Sequence, residues 1–210
     1  MKIGCFQLGY LWTNCYVISG ADGQSVMIDP GGPADEVKAY ITKNSLRLKK
    51  ILLTHGHADH IMGLSEVGDM AEDGVAIHSG DAACLVSARE NLSSAMGNPA
   101  EFKEADSKLS DGCEMILGDM SIKIIHTPGH TAGSCCFHIT EGRDSLLISG
   151  DTLFARSVGR TDLPGGDERT LLESLGKLEF LDDCVPVYPG HGPSTTMGEE
   201  RRLNPFWPRD

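Results

Sequence analysis

Short runs of apolar and β-branched residues, most of them followed closely by glycine or proline, recur along the whole chain. Their lengths favour strands over helices. They occupy residues 15–18, 25–29, 50–55, 122–127, 135–139, 145–151 and 185–191. Between some of them, segments 34–44, 81–97 and 168–181 have helical spacing and few breakers. Alternating strands and helices predict an α/β fold.

Glycine and proline concentrate where the strand-like runs end. The loops read DPGGP, THGHADH, TPGHTAG, SGDTLF, LPGGD and YPGHGP. Loops at the carboxyl ends of strands converge at one edge of an α/β sheet, and ligands usually bind there. We therefore expect the functional site at that edge.

The size and charge of the chain limit its class and its partners. Its length of 210 residues and its 40% hydrophobic content fit one domain, which we place at 1–210. Thirty acidic residues against 18 basic ones give a net charge of −12. That charge repels phosphate backbones and anionic lipids, so we expect no nucleic-acid and no membrane partner. The oligomeric state stays open.

The cysteines and the first residues indicate a cellular location. Seven cysteines, an odd number with one adjacent pair and no CxxC motif, favour reduced core residues over disulfides. The first twenty residues form neither a convincing signal peptide nor a membrane span. We expect a cytoplasmic protein.

A dense cluster of metal-capable side chains follows the strand-like run at 50–53. His55, His57, Asp59 and His60 lie within six consecutive positions. If the backbone stays extended, residues two apart face the same side, so His55 and His57 can bind one ion together. Asp59 and His60 then fall on a turning backbone, which suits a neighbouring second ion.

Three further candidates, His130, Asp151 and His191, each follow a strand-like run. The whole set contains five histidines and two aspartates. Structural zinc sites usually close with four ligands, often thiolates. A surplus of imidazole and carboxylate instead favours two ions with open positions for water. The sequence thus predicts a catalytic metal centre.

The metal-capable motifs, taken in order, resemble a known family. THGHADH, TPGHTAGS, SGDTLF and YPGHG are similar to the motifs of the metallo-β-lactamase fold superfamily over essentially the whole chain. Segments 157–167 and 189–206 resemble the compact bacterial form of glyoxalase II, the hydroxyacylglutathione hydrolases. The larger form has an additional C-terminal helical domain, and we expect none here. The resemblance implies a single-domain αββα sandwich.

The resemblance also implies roles for the site residues. His55, His57 and His130 would hold one ion, Asp59, His60 and His191 the other, and Asp151 would bridge them. Asp59 and Asp151 are then the catalytic carboxylates. The implied cofactors are two divalent ions, with zinc expected first and iron or manganese as alternatives. The implied reaction is hydrolysis of a small-molecule thioester such as S-lactoylglutathione by a hydroxide shared between the ions.

Several residues keep two interpretations. Arg160 is either a ligand for a glutathione carboxylate or part of a surface salt bridge. Asp29 either orients a ligand histidine or shapes a turn, with the turn slightly favoured. Cys135 and Cys136 are expected in the core. The remaining histidines, expected to be packed or hydrogen-bonded, are His78, His126 and His138.

Other functions use similar residues. A persulfide dioxygenase of the same fold would hold one iron through two histidines and one aspartate. A lactonase or β-lactamase would use the same two ions with a different pocket. A binding module that merely retains the ligands is a further alternative, because a fold does not guarantee turnover.

Overall fold

Two six-stranded sheets pack face to face in the computed structural model, which describes residues 1–209. The first sheet contains β1 Lys2–Leu8, β2 Thr13–Ser19, β3 Gln24–Ile28, β4 Arg47–Leu52, β5 Val75–His78 and β6 Ser107–Leu109. The second contains β7 Glu114–Leu117, β8 Met120–His126, β9 Cys135–Glu141, β10 Asp144–Gly150, β13 Pro186–Pro189 and β14 Thr195–Thr196. A small hairpin pairs β11 Leu153–Phe154 with β12 Ser157–Val158.

Six α-helices connect or cover these strands. They are α1 Asp35–Lys43, α2 Ala58–Ile61, α3 Leu64–Val67, α4 Ala82–Leu85, α5 Glu168–Gly176 and α6 Met197–Leu203, with short 3₁₀ helices at Gly68–Met70 and Ser79–Asp81. Within residues 1–209, no helix is both long and apolar enough to cross a membrane.

Both sheets are mixed. The first runs in sequence order, antiparallel from β1 to β3 and parallel from β3 to β6. The second has the order β14-β13-β10-β9-β8-β7, and only β10 and β13 are parallel. The ends of β4, β8, β10 and β13 meet at one edge, so their following loops are close together in space.

The main core lies between the two sheets. Ile28 and Leu52 from the first sheet pack against Ile124, Phe137 and Ile148 from the second, and each is at most 1% exposed. These side chains point inward because alternate residues of a strand face opposite sides. Their burial supplies the hydrophobic stabilisation that holds the sheets together.

A helix covers the outer face of each sheet. Val37 and Ile41, four residues apart on α1, bury one side of that helix against the first sheet. Leu171 and Leu175 do the same on α5 over the second sheet. Asp167 caps α5 by accepting a hydrogen bond from the Thr170 amide at 2.7 Å. The predicted αββα arrangement is confirmed.

The helix predicted over 81–97 is wrong. Helix α4 ends at Leu85, and turns follow around the buried Asn91. The Asn91 amide donates to the carbonyls of Cys84 and Ala100 at 2.9 and 3.0 Å. Asparagine and serine side chains compete for main-chain groups, which opposes helix continuation despite helical spacing.

The cysteines are free, as predicted, but they are not all in the core. Cys15, Cys135 and Cys136 are buried, Cys84 is half-buried, and Cys5, Cys113 and Cys184 are exposed. The core prediction is therefore wrong for the last three. Single cysteines on a folded surface behave as small side chains that a sequence pattern cannot place.

Candidate metal centre

All seven predicted ligands meet at the edge where the two sheets join. His55, His57, Asp59 and His60 lie on the loop and helix after β4, and His130, Asp151 and His191 follow β8, β10 and β13. Main-chain hydrogen bonds tie these loops to each other. The Gly190 amide donates to the Gly150 carbonyl at 2.8 Å, and the Asn14 amide donates to the Gly190 carbonyl at 2.7 Å.

The first triad consists of His55, His57 and His130, all buried. His55 Nε2 lies 3.1 Å from His57 Nδ1, and His130 Nε2 lies 3.3 and 3.0 Å from those two atoms. Three nitrogens bound to one ion at about 2.0–2.1 Å in tetrahedral geometry are about 3.3 Å apart. The spacing therefore fits three ligands of a single ion.

The second triad consists of Asp59, His60 and His191. His60 Nε2 and His191 Nε2 are 3.3 Å apart, and Asp59 Oδ2 lies 3.6 and 3.2 Å from them. Thr13 Oγ1 donates to the same Asp59 oxygen at 3.3 Å. This mixed nitrogen and oxygen set fits a second divalent ion.

Asp151 lies between the triads. Its Oδ1 is 3.4 Å from His60 Nε2, and its Oδ2 is 3.6 Å from both His130 Nε2 and His191 Nε2. Oδ1 is buried without a hydrogen-bond partner. A buried carboxylate oxygen that no donor satisfies is costly, and a cation would compensate for it. The unsatisfied oxygen indicates that the residues fit a metal.

The outer nitrogens of the histidines fix which ring atom faces inward. The Nδ1 of His130 donates to the Arg160 carbonyl at 2.8 Å, and the Nδ1 of His191 donates to the Leu11 carbonyl at 3.1 Å. His60 Nδ1 donates to Asp29 Oδ2 at 2.9 Å. In each neutral ring the Nε2 lone pair then points into the cluster, as a metal ligand requires.

The protein's own groups give the two triads different charges. Burial lowers the pKa of His55 well below its ordinary value, and burial beside His130 lowers the pKa of His57 to about 3. Burial also acts to lower the pKa of His60, but nearby carboxylates, Asp151 first, outweigh it and raise it to about 10. Burial opposes ionisation of Asp59, yet His60 and His191 bring its pKa below the usual range. Without an ion, His55 and His57 are therefore neutral and the second triad pairs opposite charges, so an ion bound at His60 Nε2 would displace the proton there.

Asp29 orients this cluster from outside it. Its Oδ1 accepts from the Thr54 amide at 2.8 Å, and its Oδ2 accepts from the Thr54 hydroxyl at 2.6 Å and from His60. The hydroxyl of Thr54 in turn lies 3.1 Å from His55 Nδ1. Asp29 thus holds a ligand histidine, and its φ of +51° also fits the slightly favoured turn interpretation, so it has both roles.

Asp81 is a site residue that the sequence analysis missed. It is 3% exposed, and its Oδ2 accepts from the Gly56 amide at 2.9 Å and the Thr131 hydroxyl at 2.7 Å. Its Oδ1 accepts from the Gly133 amide at 2.7 Å. Although Asp81 occupies the N-cap position of α4, its side chain caps nothing there. It instead joins the two loops that carry the first triad, and no motif marks it.

Arg160 makes one contact through its side chain and another through its main chain. Its guanidinium pairs with Asp162 through two bonds of 2.7 Å, and both side chains are mostly exposed. Its carbonyl is the acceptor that orients His130. The structure therefore gives Arg160 a main-chain role near the metal centre, and substrate binding by its side chain stays a prediction.

The other histidines lie outside the cluster, as expected. The rings of His78 and His126 stack with centroids 3.8 Å apart, and His126 Nε2 donates to the Ala132 carbonyl at 2.9 Å. His138 Nε2 lies 2.8 Å from Ser145 Oγ. They are packed, hydrogen-bonded residues.

Comparison with known proteins shows the family. Residues 10–191 match the metallo-beta-lactamase superfamily, and the chain belongs to it. A probable metallo-hydrolase of Bacillus subtilis, YqgX, is 36% identical over 98% of this chain and 97% of that protein. Hydroxyacylglutathione hydrolase GloC of Haemophilus influenzae is 33% identical over 92% of both. The chain is thus a member of a metal-dependent hydrolase family.

Solved structures agree with this assignment. The BLEG-1 B3 metallo-beta-lactamase has a TM-score of 0.91 and 37% identity, covering 98% of this chain and 99% of that one. A protein solved in a di-iron-bound form has a TM-score of 0.84 and 35% identity, covering 97% and 99%. ETHE1 from Myxococcus xanthus has a TM-score of 0.76 and 28% identity, covering 98% and 84%. These names span different reactions, so the fold does not by itself define the substrate.

Proposed function

We propose that this protein is a dinuclear thioester hydrolase that cleaves S-lactoylglutathione or a related hydroxyacylglutathione to glutathione and a hydroxy acid. The observation that carries the proposal is Asp151, whose buried and unsatisfied Oδ1 lies between two complete ligand triads. The 33% identity to a hydroxyacylglutathione hydrolase supports this choice of substrate class.

The seven ligand residues would hold two divalent ions, with zinc proposed and iron or manganese as alternatives. When bound, such ions supply an activated water and stabilise negative charge on the substrate carbonyl oxygen. Asp59, which is partly exposed, orients the attacking water. A leaving thiol has a pKa near 8.5, so its anion departs without a strong general acid.

Arg160 is the proposed contact for glutathione. Its pairing with Asp162 is exposed to solvent, and exposed ion pairs contribute only about 0–1 kcal/mol. A substrate carboxylate can therefore replace Asp162, since the planar guanidinium suits two parallel hydrogen bonds. The proposal places the enzyme in the cytoplasm with a small-molecule substrate and with neither nucleic acid nor membrane as a partner.

The main rival is a persulfide dioxygenase with a single iron, and the similarity to ETHE1 in overall structure makes it worth testing. Asp59, His60 and His191 would then have no metal to bind. Their 3.2–3.6 Å spacing around one point instead favours the dinuclear hydrolase.

The test uses full-length protein of measured metal content, assayed with S-lactoylglutathione, a lactone and glutathione persulfide. We expect two metal ions per chain, release of glutathione from the thioester, and no oxygen uptake with the persulfide. One iron per chain with rapid oxygen uptake would overturn the proposal, as would turnover of the lactone alone.

A pair of variants tests whether the cluster performs the reaction. Asp151→Ala should abolish hydrolysis because it removes the carboxylate shared by both triads. Asp69→Ala, which removes an 88% exposed carboxylate paired only with Lys103, should keep full activity. Unchanged activity in Asp151→Ala would instead indicate a site that is not catalytic.

A further inference from the structure

We infer that the metal centre takes its thioester in one direction, with a large apolar acyl group against a patch formed by Tyr10, Leu11, Met62 and Met96. The inference rests on the proposed thioesterase function and narrows its substrate class. Among hydroxyacyl thioesters, the best substrates are then those whose acyl group carries an aromatic or branched substituent in place of the lactoyl methyl group. We call these four residues the acyl patch.

The acyl patch is unusually exposed for its composition. Tyr10 is 93% exposed, Leu11 51% and Met96 50%. With Met62 they line a cavity of about 340 Å³ between the β1–β2 hairpin tip and the 86–100 loop. Contiguous apolar surface of this kind marks a binding site more often than chance exposure.

The hairpin tip is held in a strained shape. Trp12, a bulky residue that is 69% exposed, has φ +51°, and Gly9 at the other end of the tip has φ +67°. Residues with β-carbons adopt this left-handed region at an energetic cost, and such strain concentrates at functional sites. The strain is explained if the tip must present its side chains to a ligand.

The acyl patch is continuous with the metal centre. Asp59, a member of the second triad, lines the same cavity. The Leu11 carbonyl accepts the hydrogen bond from His191 Nδ1 at 3.1 Å, which fixes the tip relative to a ligand histidine. A group bonded to the reacting carbonyl can therefore extend from the centre directly onto the patch.

Charge determines which end of the substrate faces the patch. The charged side chains lining its cavity are the carboxylates of Asp59 and Glu66, and Glu66 is already paired with Lys38 at 2.8 Å. No lysine or arginine of the described chain lines this cavity, so the two carboxylates of glutathione would lose hydration there without gaining a cationic partner. A neutral, apolar acyl group meets no such penalty.

The opposite side of the centre suits the glutathione end. A cavity of about 480 Å³ there is lined by His57 and Thr131 together with Arg89 and Glu90. Arg89 is exposed, and in the part of the chain that the structure describes no carboxylate pairs with it. The two exposed charged side chains, Arg89 and Glu90, complement the carboxylate and ammonium groups of the γ-glutamyl end, while Asp81 in the same lining is buried and hydrogen-bonded.

The test compares S-mandeloylglutathione with S-lactoylglutathione, which differ by phenyl in place of methyl. We expect kcat/KM for the mandeloyl ester to exceed that for the lactoyl ester by about tenfold in the wild-type zinc enzyme. The double variant Leu11→Ala/Met96→Ala should bring the ratio close to one. Phe180→Ala, which removes a 55% exposed ring beside His138, is the matched control and should leave the ratio unchanged. A wild-type ratio near one, or a ratio that the double variant keeps, would overturn the inference.

A binding measurement separates this inference from the proposed function. Calorimetry on the zinc-loaded protein should show tighter binding of mandelate than of lactate, and the double variant should lose the difference. If neither thioester is hydrolysed but this binding pattern is observed, the result contradicts the proposed reaction and still supports the acyl patch as a binding site. Equal affinities in the wild-type protein would overturn the patch whatever the reaction.

A second copy of the chain is the competing occupant of the patch. Sedimentation of the wild type and the double variant decides between them. A wild-type dimer that becomes monomeric in the double variant, with the substrate ratio unchanged, would assign the patch to self-association and overturn the inference.

Discussion

Two aspartates outside the two triads hold the predicted ligand residues in place. Asp29 contacts Thr54 and His60 and so supports both triads through one carboxylate. Asp81 joins the loop of His55 and His57 to the loop of His130 through three hydrogen bonds. Groups of this kind set the orientation of ligands, and their loss typically weakens metal binding.

Asp81→Asn should lower metal affinity at the first triad by about 10- to 100-fold. The amide group keeps one acceptor oxygen but places its NH₂ against a donor from Gly56, Thr131 or Gly133, so at least one bond is lost. Competition with a chromophoric chelator measures the affinity of each site. Asp106→Asn makes the same substitution at a carboxylate that accepts from the Val75 amide away from the metal centre, and it should leave both affinities unchanged. Equal weakening in both variants would contradict a positioning role.

Asp151 and His60 can occupy their positions because Gly190 has no side chain. A β-carbon there would lie 2.2 Å from Asp151 Oδ1 and 2.7 Å from His60 Cε1. Gly190→Ala should therefore displace both side chains, reduce the metal content to one ion or less per chain, and remove most activity. Gly68→Ala, where no atom lies within 4 Å of the added carbon, is the control. Two bound ions in Gly190→Ala would refute this explanation.

At the scale of single elements, the local backbone conformation decides which residue fits a helix end or a turn. Gly176 closes α5 in a helical conformation with open space around it, whereas Gly142 turns the β9–β10 hairpin with φ +60°. Alanine suits the first position and not the second, because only glycine adopts positive φ without strain.

Gly176→Ala should raise the free energy of unfolding by about 0.5–1 kcal/mol, since alanine has the higher helix propensity. Gly142→Ala should lower it by about 1 kcal/mol because of the left-handed backbone. Urea unfolding of both variants measures the difference, with activity as a check that the site is intact. A stabilised Gly142→Ala variant would show that the turn can change its conformation without penalty.

Segment 86–100 shows where element prediction fails. Its residues have helical spacing, yet the buried Asn91 is bonded to Cys84, Ser93 and Ala100, and its carbonyl accepts from the Ala58 amide at 2.8 Å. These partners are distributed over more than forty residues. A local pattern cannot weigh such contacts, so the loop beside the metal centre could not be predicted.

For the whole molecule, the metal centre is a junction between the two sheets. Four ligands follow a strand of the first sheet and three follow strands of the second. An ion bound by both halves stabilises the folded state, because the unfolded chain does not hold these side chains together.

Chelation should therefore lower the melting temperature. Ions present at 100 times their dissociation constant contribute about 2.7 kcal/mol, which corresponds to about 5–10 °C for a chain of this size. Calorimetric scans with and without chelator measure the shift, and re-addition of zinc should reverse it. In Asp151→Ala the shift should shrink markedly. An identical melting temperature with and without chelator would contradict the claim that bound ions stabilise the fold by joining the two sheets.

The sequence by itself determined the fold class and predicted the seven residues that the structure brings together. Short apolar and β-branched runs that end in glycine-rich loops specify strands and the edge where their loops meet, and the dense spacing of His55 to His60 indicates a metal centre. These signals are local, so they can be read without a structure. Only the tertiary structure decided the role of Asp29, the presence of Asp81, and the exposed acyl patch beside His191. The physical reason is that hydrogen bonds and burial depend on which distant segments come together, and residue spacing does not contain that information.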